Sequence, residues 1–140
     1  MRFWDSSALV PLLVREAATP VVRQALKGDS EMLVWALSPA EVSGALWRRR
    51  RAGDLDEAGR AAAEAGLERL AELWTEVVDL TAVVRRTRRL LGVHPLRTAD
   101  ALQLAAALAA CADQPELLEV VTLDDRLAEA ARREGFAVTP

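Results

Sequence analysis

Short apolar segments alternate with amphipathic helical segments along the chain, and this alternation restricts the fold more than any other feature. Strands are predicted at Arg2–Trp4, Glu31–Leu37, Glu76–Leu80, Leu118–Thr122 and Phe136–Val138. Helices are predicted at Ala8–Arg15, Pro20–Lys27, Pro39–Arg51, Leu55–Trp74, Ala82–Leu91, Thr98–Ala112 and Asp125–Glu134. Strands separated by helices indicate an α/β fold in which a parallel sheet is covered on both faces.

The length and the apolar content predict one folded domain over residues 1–140. Of the 140 residues, 51% are apolar, which is too high a fraction for a disordered chain. No apolar run approaches the roughly 20 residues of a membrane span, and the N-terminus lacks a signal-peptide pattern. The single cysteine, Cys111, fits a reducing cytosol, so we expect a cytoplasmic protein without a membrane partner.

The net charge of −3 means that the molecule as a whole would repel RNA. Binding to phosphates would therefore need local basic patches or bound cations. A zinc site is poorly supported, because the chain has one cysteine and one histidine, His94. His94 precedes a proline and is expected in a loop at the surface.

Acidic residues follow the predicted strands at the places where such sheets bind ligands. Asp5 follows the first strand, Glu41 lies in the first turn of the helix after the second strand, and Asp124 follows the strand that ends at Thr122. In open α/β sheets, ligands bind outside the carboxyl ends of the strands, so these three acids belong at one edge. Asp100 lies in the first turn of a very apolar helix that starts near Thr98, and the N-terminus of this helix can face the same crevice if the helix packs antiparallel to the others.

Each acid also has an ordinary structural explanation. Residues 38–41 (SPAE) and 122–125 (TLDD) both fit a capping box, with Glu41 and Asp125 as the reaching acids. Asp5 fits an N-cap, and Asp100 fits an acid that complements a helix dipole. Taken one at a time, capping is the simpler interpretation of every one of them.

Taken together, the four acids indicate a metal site. A carboxylate at the mouth of a buried helix is costly unless something pairs with it, and Arg97 is the nearest basic residue to Asp100. Clustered carboxylates repel one another and raise their own pKa values, and a divalent cation relieves that repulsion. An all-oxygen ligand set suits Mg²⁺, or alternatively Mn²⁺.

Four segments in this order resemble the PIN-domain ribonucleases, and especially the VapC-type toxins of bacterial toxin–antitoxin pairs. The segments are residues 3–9 (FWDSSAL), 38–49 (SPAEVSGALWRR), 96–107 (LRTADALQLAAA) and 121–136 (VTLDDRLAEAARREGF). Each motif is degenerate alone, but the ordered set is specific and spans nearly the whole chain.

The resemblance implies a three-layer α/β/α sandwich with a central parallel sheet. It also implies catalytic and metal-binding roles for Asp5, Glu41, Asp100 and Asp124. The family pattern Thr-x-Asp-x-x-Leu selects Asp124 over Asp125, which is left as an outer ligand. Ser7 and Thr122 match small hydroxyl positions and are expected to support the acids.

The activity implied by the resemblance is Mg²⁺-dependent endonucleolytic hydrolysis of structured cellular RNA, leaving a 5′-phosphate and a 3′-hydroxyl. A protein antitoxin as inhibitor and a homodimer are implied in the same way. A housekeeping RNA-processing nuclease and a non-catalytic PIN-like binding module are the alternatives. A phosphoacceptor receiver domain is disfavoured, because it needs a lysine after its last strand and the only lysine is Lys27.

Two arginine clusters have two interpretations each. The clusters are Arg48–Arg51, at a predicted helix end, and Arg85, Arg86, Arg88 and Arg89, on a later helix. A solvated helix end is the simpler interpretation for the first, because cations there complement the helix dipole. The alternative for both is contact with phosphate or a partner.

Overall fold

The computed structural model of the protein describes residues 1–28 and 31–140, and its strands form one parallel sheet. The strands are β1 (Arg2–Trp4), β2 (Met32–Trp35), β3 (Trp74–Val77), β4 (Glu119–Val121) and β5 (Ala137–Thr139). Their order across the sheet is β3-β2-β1-β4-β5, and every neighbouring pair is parallel.

Helices connect the strands throughout the described chain. They are α1 (Ser6–Leu13), α2 (Thr19–Gly28), α3 (Ser38–Ala52), α4 (Glu57–Ala71), α5 (Leu80–Val93), α6 (Thr98–Ala110) and α7 (Asp125–Arg133). A short 3-10 turn, Pro115–Leu117, precedes β4.

Two apolar cores lie on opposite faces of the sheet, because successive strand side chains point to opposite sides. Phe3 packs in the core that contains the buried residues of α5, α6 and α7, whereas Trp4 packs in the core formed with α1 to α4. Val120 and Val121 divide in the same way. The protein is therefore a three-layer α/β/α sandwich with a central parallel sheet, as predicted.

The strand order fixes where a ligand crevice can open. From β1 the chain moves to one side through β2 and β3, and it returns to the other side at β4 and β5. The carboxyl ends of β1 and β4 therefore form the topological switch point of the sheet. Asp5 follows β1 directly, and Asp124 follows β4 by a short turn.

Several predicted boundaries are shifted, and one element is misplaced. Helix α1 begins at Ser6 rather than Ala8, because Asp5 is its N-cap. The long helix predicted to Trp74 ends at Ala71, and Trp74 instead begins β3. Strand β3 consequently lies earlier than residues 76–80, and the helix that follows it starts at Leu80.

No helix within the described ranges is both long enough and apolar enough to cross a membrane.

Candidate active site

Asp5 is held by the turn that joins β1 to α1 and by the end of β4. It caps α1 by accepting a hydrogen bond of 3.2 Å from the Ser7 backbone N–H. The same oxygen, Oδ2, accepts hydrogen bonds from Ser7 Oγ at 2.5 Å and from Thr122 Oγ1 at 2.9 Å. Because the residue is only 3% exposed, these bonds fix the carboxylate in place.

Glu41 lies in the first turn of α3, where its carboxylate meets two other helices. Its Oε2 accepts hydrogen bonds from Ser6 Oγ at 2.8 Å and from Gln103 Nε2 at 3.2 Å. Gln103 is fully buried in α6 and also donates to Ser38 Oγ at 3.0 Å. The start of α1 and the middle of α6 together orient Glu41.

Asp124 and Asp100 come from the starts of two further helices. Asp124 is the N-cap of α7, and its Oδ1 accepts a hydrogen bond of 2.8 Å from the Leu127 N–H. The Asp124 N–H donates to Thr122 Oγ1 at 3.1 Å, so Thr122 connects Asp5 and Asp124. Asp100 lies in the first turn of α6 and is half-buried.

Glu41, Asp100 and Asp124 line one cavity of about 840 Å³ at the carboxyl edge of the sheet. Asp5 is buried just beneath this lining and is bonded to Ser7, which belongs to it. The other polar and charged lining residues are Ser6, Asp125, Arg48, Arg97 and Arg126. The structure therefore brings all four sequence-predicted acids to one place, with Asp125 exposed at the same cavity.

The proximity of the acids affects their protonation. Burial raises the pKa of Asp5, the charge of Asp124 adds to the rise, and the hydrogen bonds from Ser7 and Thr122 lower it. Burial also raises the pKa of Asp100, and Asp124 and Asp5 raise it further. The pKa of Glu41 is raised by burial and by the charges of Asp5 and Asp100, against the lowering effect of Ser6 and Gln103. The four carboxylates therefore repel one another when they are ionised.

The donor set fits a hard divalent cation in its chemistry. Carboxylate and hydroxyl oxygens surround the cavity, and carboxylate repulsion of this kind is relieved by a divalent charge. Among residues 1–28 and 31–140, no three acidic, histidine or cysteine side chains already form a closed metal-ligand group. Hydrogen bonds to Ser7, Thr122, Ser6 and Gln103 occupy Asp5 Oδ2 and Glu41 Oε2 instead.

The N-cap predicted at Asp5 and the helix-dipole position predicted for Asp100 are confirmed, whereas the two predicted capping boxes are wrong. Asp5 and Asp124 are N-caps, and Asp100 lies where it complements the dipole of α6. Neither capping box forms: α3 has no side-chain cap, since Ser38 and Glu41 bond to α6 and α1. At α7 the cap is Asp124 itself rather than Thr122 with Asp125.

Sequence reasoning missed Ser6 and Gln103, which hold Glu41. A glutamine inside the apolar run of α6 is a signal that was available, because a buried amide needs partners. Ser7 and Thr122, by contrast, were expected to support the acids, and the hydroxyl groups of both donate hydrogen bonds to Asp5.

Members of both arginine clusters form ion pairs. Arg49 forms an ion pair with Glu16 at 2.6 Å, and Arg50 forms one with Glu57 at 3.6 Å, so part of the first cluster ties α3 to its neighbours. In the second cluster, Arg86 pairs with Asp113 at 2.6 Å.

The expectation that His94 lies at the surface is wrong. Its side chain is 3% exposed, and Nε2 lies 2.7 Å from Glu134 Oε1. Arg89 pairs with the same carboxylate at 2.5 Å. The His94–Pro95 turn is thus packed against the end of α7, which a local reading of the loop could not reveal.

The protein is a three-layer α/β/α protein with an acidic site at the carboxyl edge of its parallel sheet. Comparison with known proteins identifies its family. The PIN domain family matches residues 2–133. Ribonuclease VapC46 of Mycobacterium tuberculosis (strain ATCC 25618 / H37Rv) is 37% identical over 139 residues, covering 97% of this chain and 94% of the relative. Ribonuclease VapC45 (strain CDC 1551 / Oshkosh) is 36% identical, covering 99% and 94%.

Solved structures agree on the fold. FitAcB from Neisseria gonorrhoeae superposes with a TM-score of 0.68 at 18% identity, covering all of this chain and 97% of that one. PAE2754 from Pyrobaculum aerophilum gives a TM-score of 0.65 at 23% identity, covering 98% and 81%. This chain belongs to the PIN-domain family, and its curated relatives place it with the VapC-type proteins.

Proposed function

We propose that the protein is a metal-dependent endoribonuclease, and that it is the toxin of a toxin–antitoxin pair acting in the cytoplasm. The observation that supports this most directly is the convergence of acids from four elements on one cavity: Asp5, Glu41, Asp100 and Asp124. The names of its relatives, which are ribonucleases, point to RNA as the substrate.

In this proposal the four carboxylates hold Mg²⁺, or Mn²⁺ in its place. A divalent ion held by these residues would supply positive charge to neutralise the phosphate and would lower the pKa of a water molecule. The protein orients the acids through short side chains: Ser7 and Thr122 hold Asp5, and Ser6 holds Glu41.

Hydrolysis of the phosphodiester bond adds one water across the P–O3′ bond. The water oxygen bonds to phosphorus, the 3′-oxygen leaves and takes a proton, and a carboxylate of the cluster accepts the proton of the attacking water. The products carry a 5′-phosphate and a 3′-hydroxyl. Asp125, which is exposed at the same cavity, would be an outer ligand rather than a direct one.

The test is cleavage of total cellular RNA by purified protein with Mg²⁺ or Mn²⁺ and with EDTA, with the product ends mapped. Asp124→Asn should abolish cleavage, whereas Asp54→Asn should not, because Asp54 is an exposed acid outside the cavity. Undiminished activity in EDTA would contradict the metal requirement. Metal binding without any RNA cleavage would favour a non-catalytic PIN-like module.

A toxin role also implies a protein antitoxin as inhibitor and, from the family resemblance, a homodimer. A small antitoxin gene immediately upstream, whose product blocks cleavage, supports the toxin. An unregulated enzyme with no such neighbour supports a housekeeping RNA-processing nuclease. Sedimentation of the purified protein tests the dimer.

A further inference from the structure

Three arginines at the acidic cavity have no ion-pair partner among residues 1–28 and 31–140. Arg48, Arg97 and Arg126 all line it and are exposed. Within the described part of the chain, none of them makes an ion pair or a side-chain hydrogen bond. The same cavity is lined by the carboxylates of Glu41, Asp100, Asp124 and Asp125, so the three arginines are close to acids without forming ion pairs with them.

Each of these arginines shares an element with one of the acids. Arg48 follows Glu41 by seven residues on α3, about two turns along the same helix face. Arg97 immediately precedes α6, three residues before Asp100. Arg126 lies on α7, two residues after Asp124. The same three elements that carry these acids to the cavity therefore carry a cation to it as well.

The arginines do not serve to neutralise the acids. Within the described part of the chain, neither Arg97 nor Arg126 donates a hydrogen bond to Asp100, although all three line the same cavity. Glu41 takes its hydrogen bonds from Ser6 and Gln103, not from Arg48. The neighbouring Arg49 and Arg50, by contrast, form ion pairs that join α3 to the α1–α2 loop and to α4.

We propose that Arg48, Arg97 and Arg126 are substrate-positioning residues that bind the phosphates of the RNA strand on either side of the scissile bond. The proposal rests on the ribonuclease function proposed above. A guanidinium group matches two phosphate oxygens at once, which places a strand as well as attracting it. With a net charge of −3, the protein needs such a local cationic rim to hold RNA over an acidic cavity.

The experiment compares Arg48→Gln, Arg97→Gln and Arg126→Gln with Arg132→Gln. Arg132 is a matched control, because it is exposed, lies on α7 like Arg126, and does not line the cavity. Each cavity variant should raise KM about ten-fold while kcat changes by less than about three-fold, as expected for lost binding that is equal in ground and transition states. Arg132→Gln should leave both constants unchanged.

A second measurement is the salt dependence of binding to a single-stranded RNA. It is made in Mg²⁺ in an Asp124→Asn background so that the RNA stays intact. Each cavity variant should reduce the slope of log K against log salt by about 0.7, the value for one phosphate contact on a single strand. Lysine at the same position should restore the slope but only part of the affinity, because it lacks the paired donors.

The outcomes separate the two proposals. Wild-type cleavage together with cavity variants that behave like Arg132→Gln would overturn the phosphate contacts and leave the ribonuclease intact. The phosphate contacts would also be overturned if a glutamine variant lost kcat with an unchanged KM. The same conclusion would follow if a lysine variant had the same salt-dependence slope as the glutamine variant. A wild-type protein that neither binds nor cleaves RNA would overturn both.

Discussion

Ser6 Oγ donates a hydrogen bond of 2.8 Å to Glu41 Oε2, and so joins the first residue of α1 to the first turn of α3. Ser6 also lies beside Asp5, with Oγ 3.4 Å from Asp5 Oδ1. One hydroxyl thus sets the position of one acid of the cavity relative to another. Asp5 and Glu41 are held by side chains that carry no charge themselves, so these hydrogen bonds bring no positive charge to the acidic cluster.

Replacing Ser6 with alanine should weaken catalysis without unfolding the protein. The hydrogen bond lowers the pKa of Glu41, so its loss should raise that pKa further. A hydrogen bond to a charged group contributes about 1.5 kcal/mol, so kcat/KM should fall roughly ten-fold. The acidic limb of the pH–rate profile should move to higher pH.

The control for this prediction is Ser43→Ala. Ser43 also donates a hydrogen bond to a glutamate, Glu64, but neither residue lines the acidic cavity. Its removal should leave the pH profile where it is. If Ser6→Ala and Ser43→Ala gave the same profile, Ser6 would have no specific part in holding Glu41.

Replacing Asp100 with asparagine should abolish cleavage and stabilise the metal-free fold. Burial and the charges of Asp124 and Asp5 raise the pKa of Asp100, so the ionised side chain is disfavoured in the folded state at neutral pH. Asparagine removes this charge with little change in volume. The melting temperature in EDTA should rise by about 2–4 °C, or roughly 1 kcal/mol, a modest figure because solvent screens a half-buried group.

The sign of this effect depends on pH. A raised folded-state pKa contributes stability that is fully present below the unfolded value, 3.8, and is lost as the pH rises through the folded value. The advantage of Asp100→Asn should therefore shrink as the pH falls towards 3.8. Asp54→Asn is the control and should show no such trend. A melting temperature of Asp100→Asn below that of the wild type would indicate a structural role for Asp100.

The fold could be predicted from the sequence because its determinants are local. Alternation of apolar strands with helices requires a parallel sheet, and the carboxyl-edge rule then locates the acids. The error at Trp74 has a local cause as well: its apolar character continues the face of α4, although the helix ends at Ala71. Nothing in that periodicity marks the change from helix to strand.

The detailed site could not be predicted because its partners are distant in sequence. Ser38 and Glu41 satisfy a capping-box pattern, yet Ser38 bonds to Gln103, 65 residues away, and Glu41 bonds to Ser6, 35 residues away. His94 similarly finds Glu134, 40 residues further on. Local sequence patterns such as the capping box predict the contacts of a side chain only when no residue distant in sequence offers it a hydrogen bond. Here such distant partners are present.

Divalent cation binding should stabilise the protein independently of any turnover. Because a cation held by the folded site has no comparable site in the unfolded chain, Mn²⁺ at about 100 times its Kd should add roughly 2.7 kcal/mol to the free energy of unfolding. Asp124→Asn should lose most of this gain, and Asp54→Asn should keep it. Thermal melts with Mn²⁺ and with EDTA measure both; an equal gain in the two variants would place the ion elsewhere.

Glu134 should respond to pH in the opposite sense to Asp100. Hydrogen bonds from Arg89 and His94 lower its pKa, so its stabilising effect is present above the unfolded value, 4.5, and is lost as the pH falls through the folded value. Glu134→Gln should cost about 2 kcal/mol at pH 7 by urea unfolding, and the difference should disappear in acid. Glu129→Gln, which breaks an exposed pair with Arg133 on the same helix, should cost less than about 0.5 kcal/mol. Equal costs for the two variants would show that the buried contact with His94 adds nothing beyond an ordinary surface ion pair.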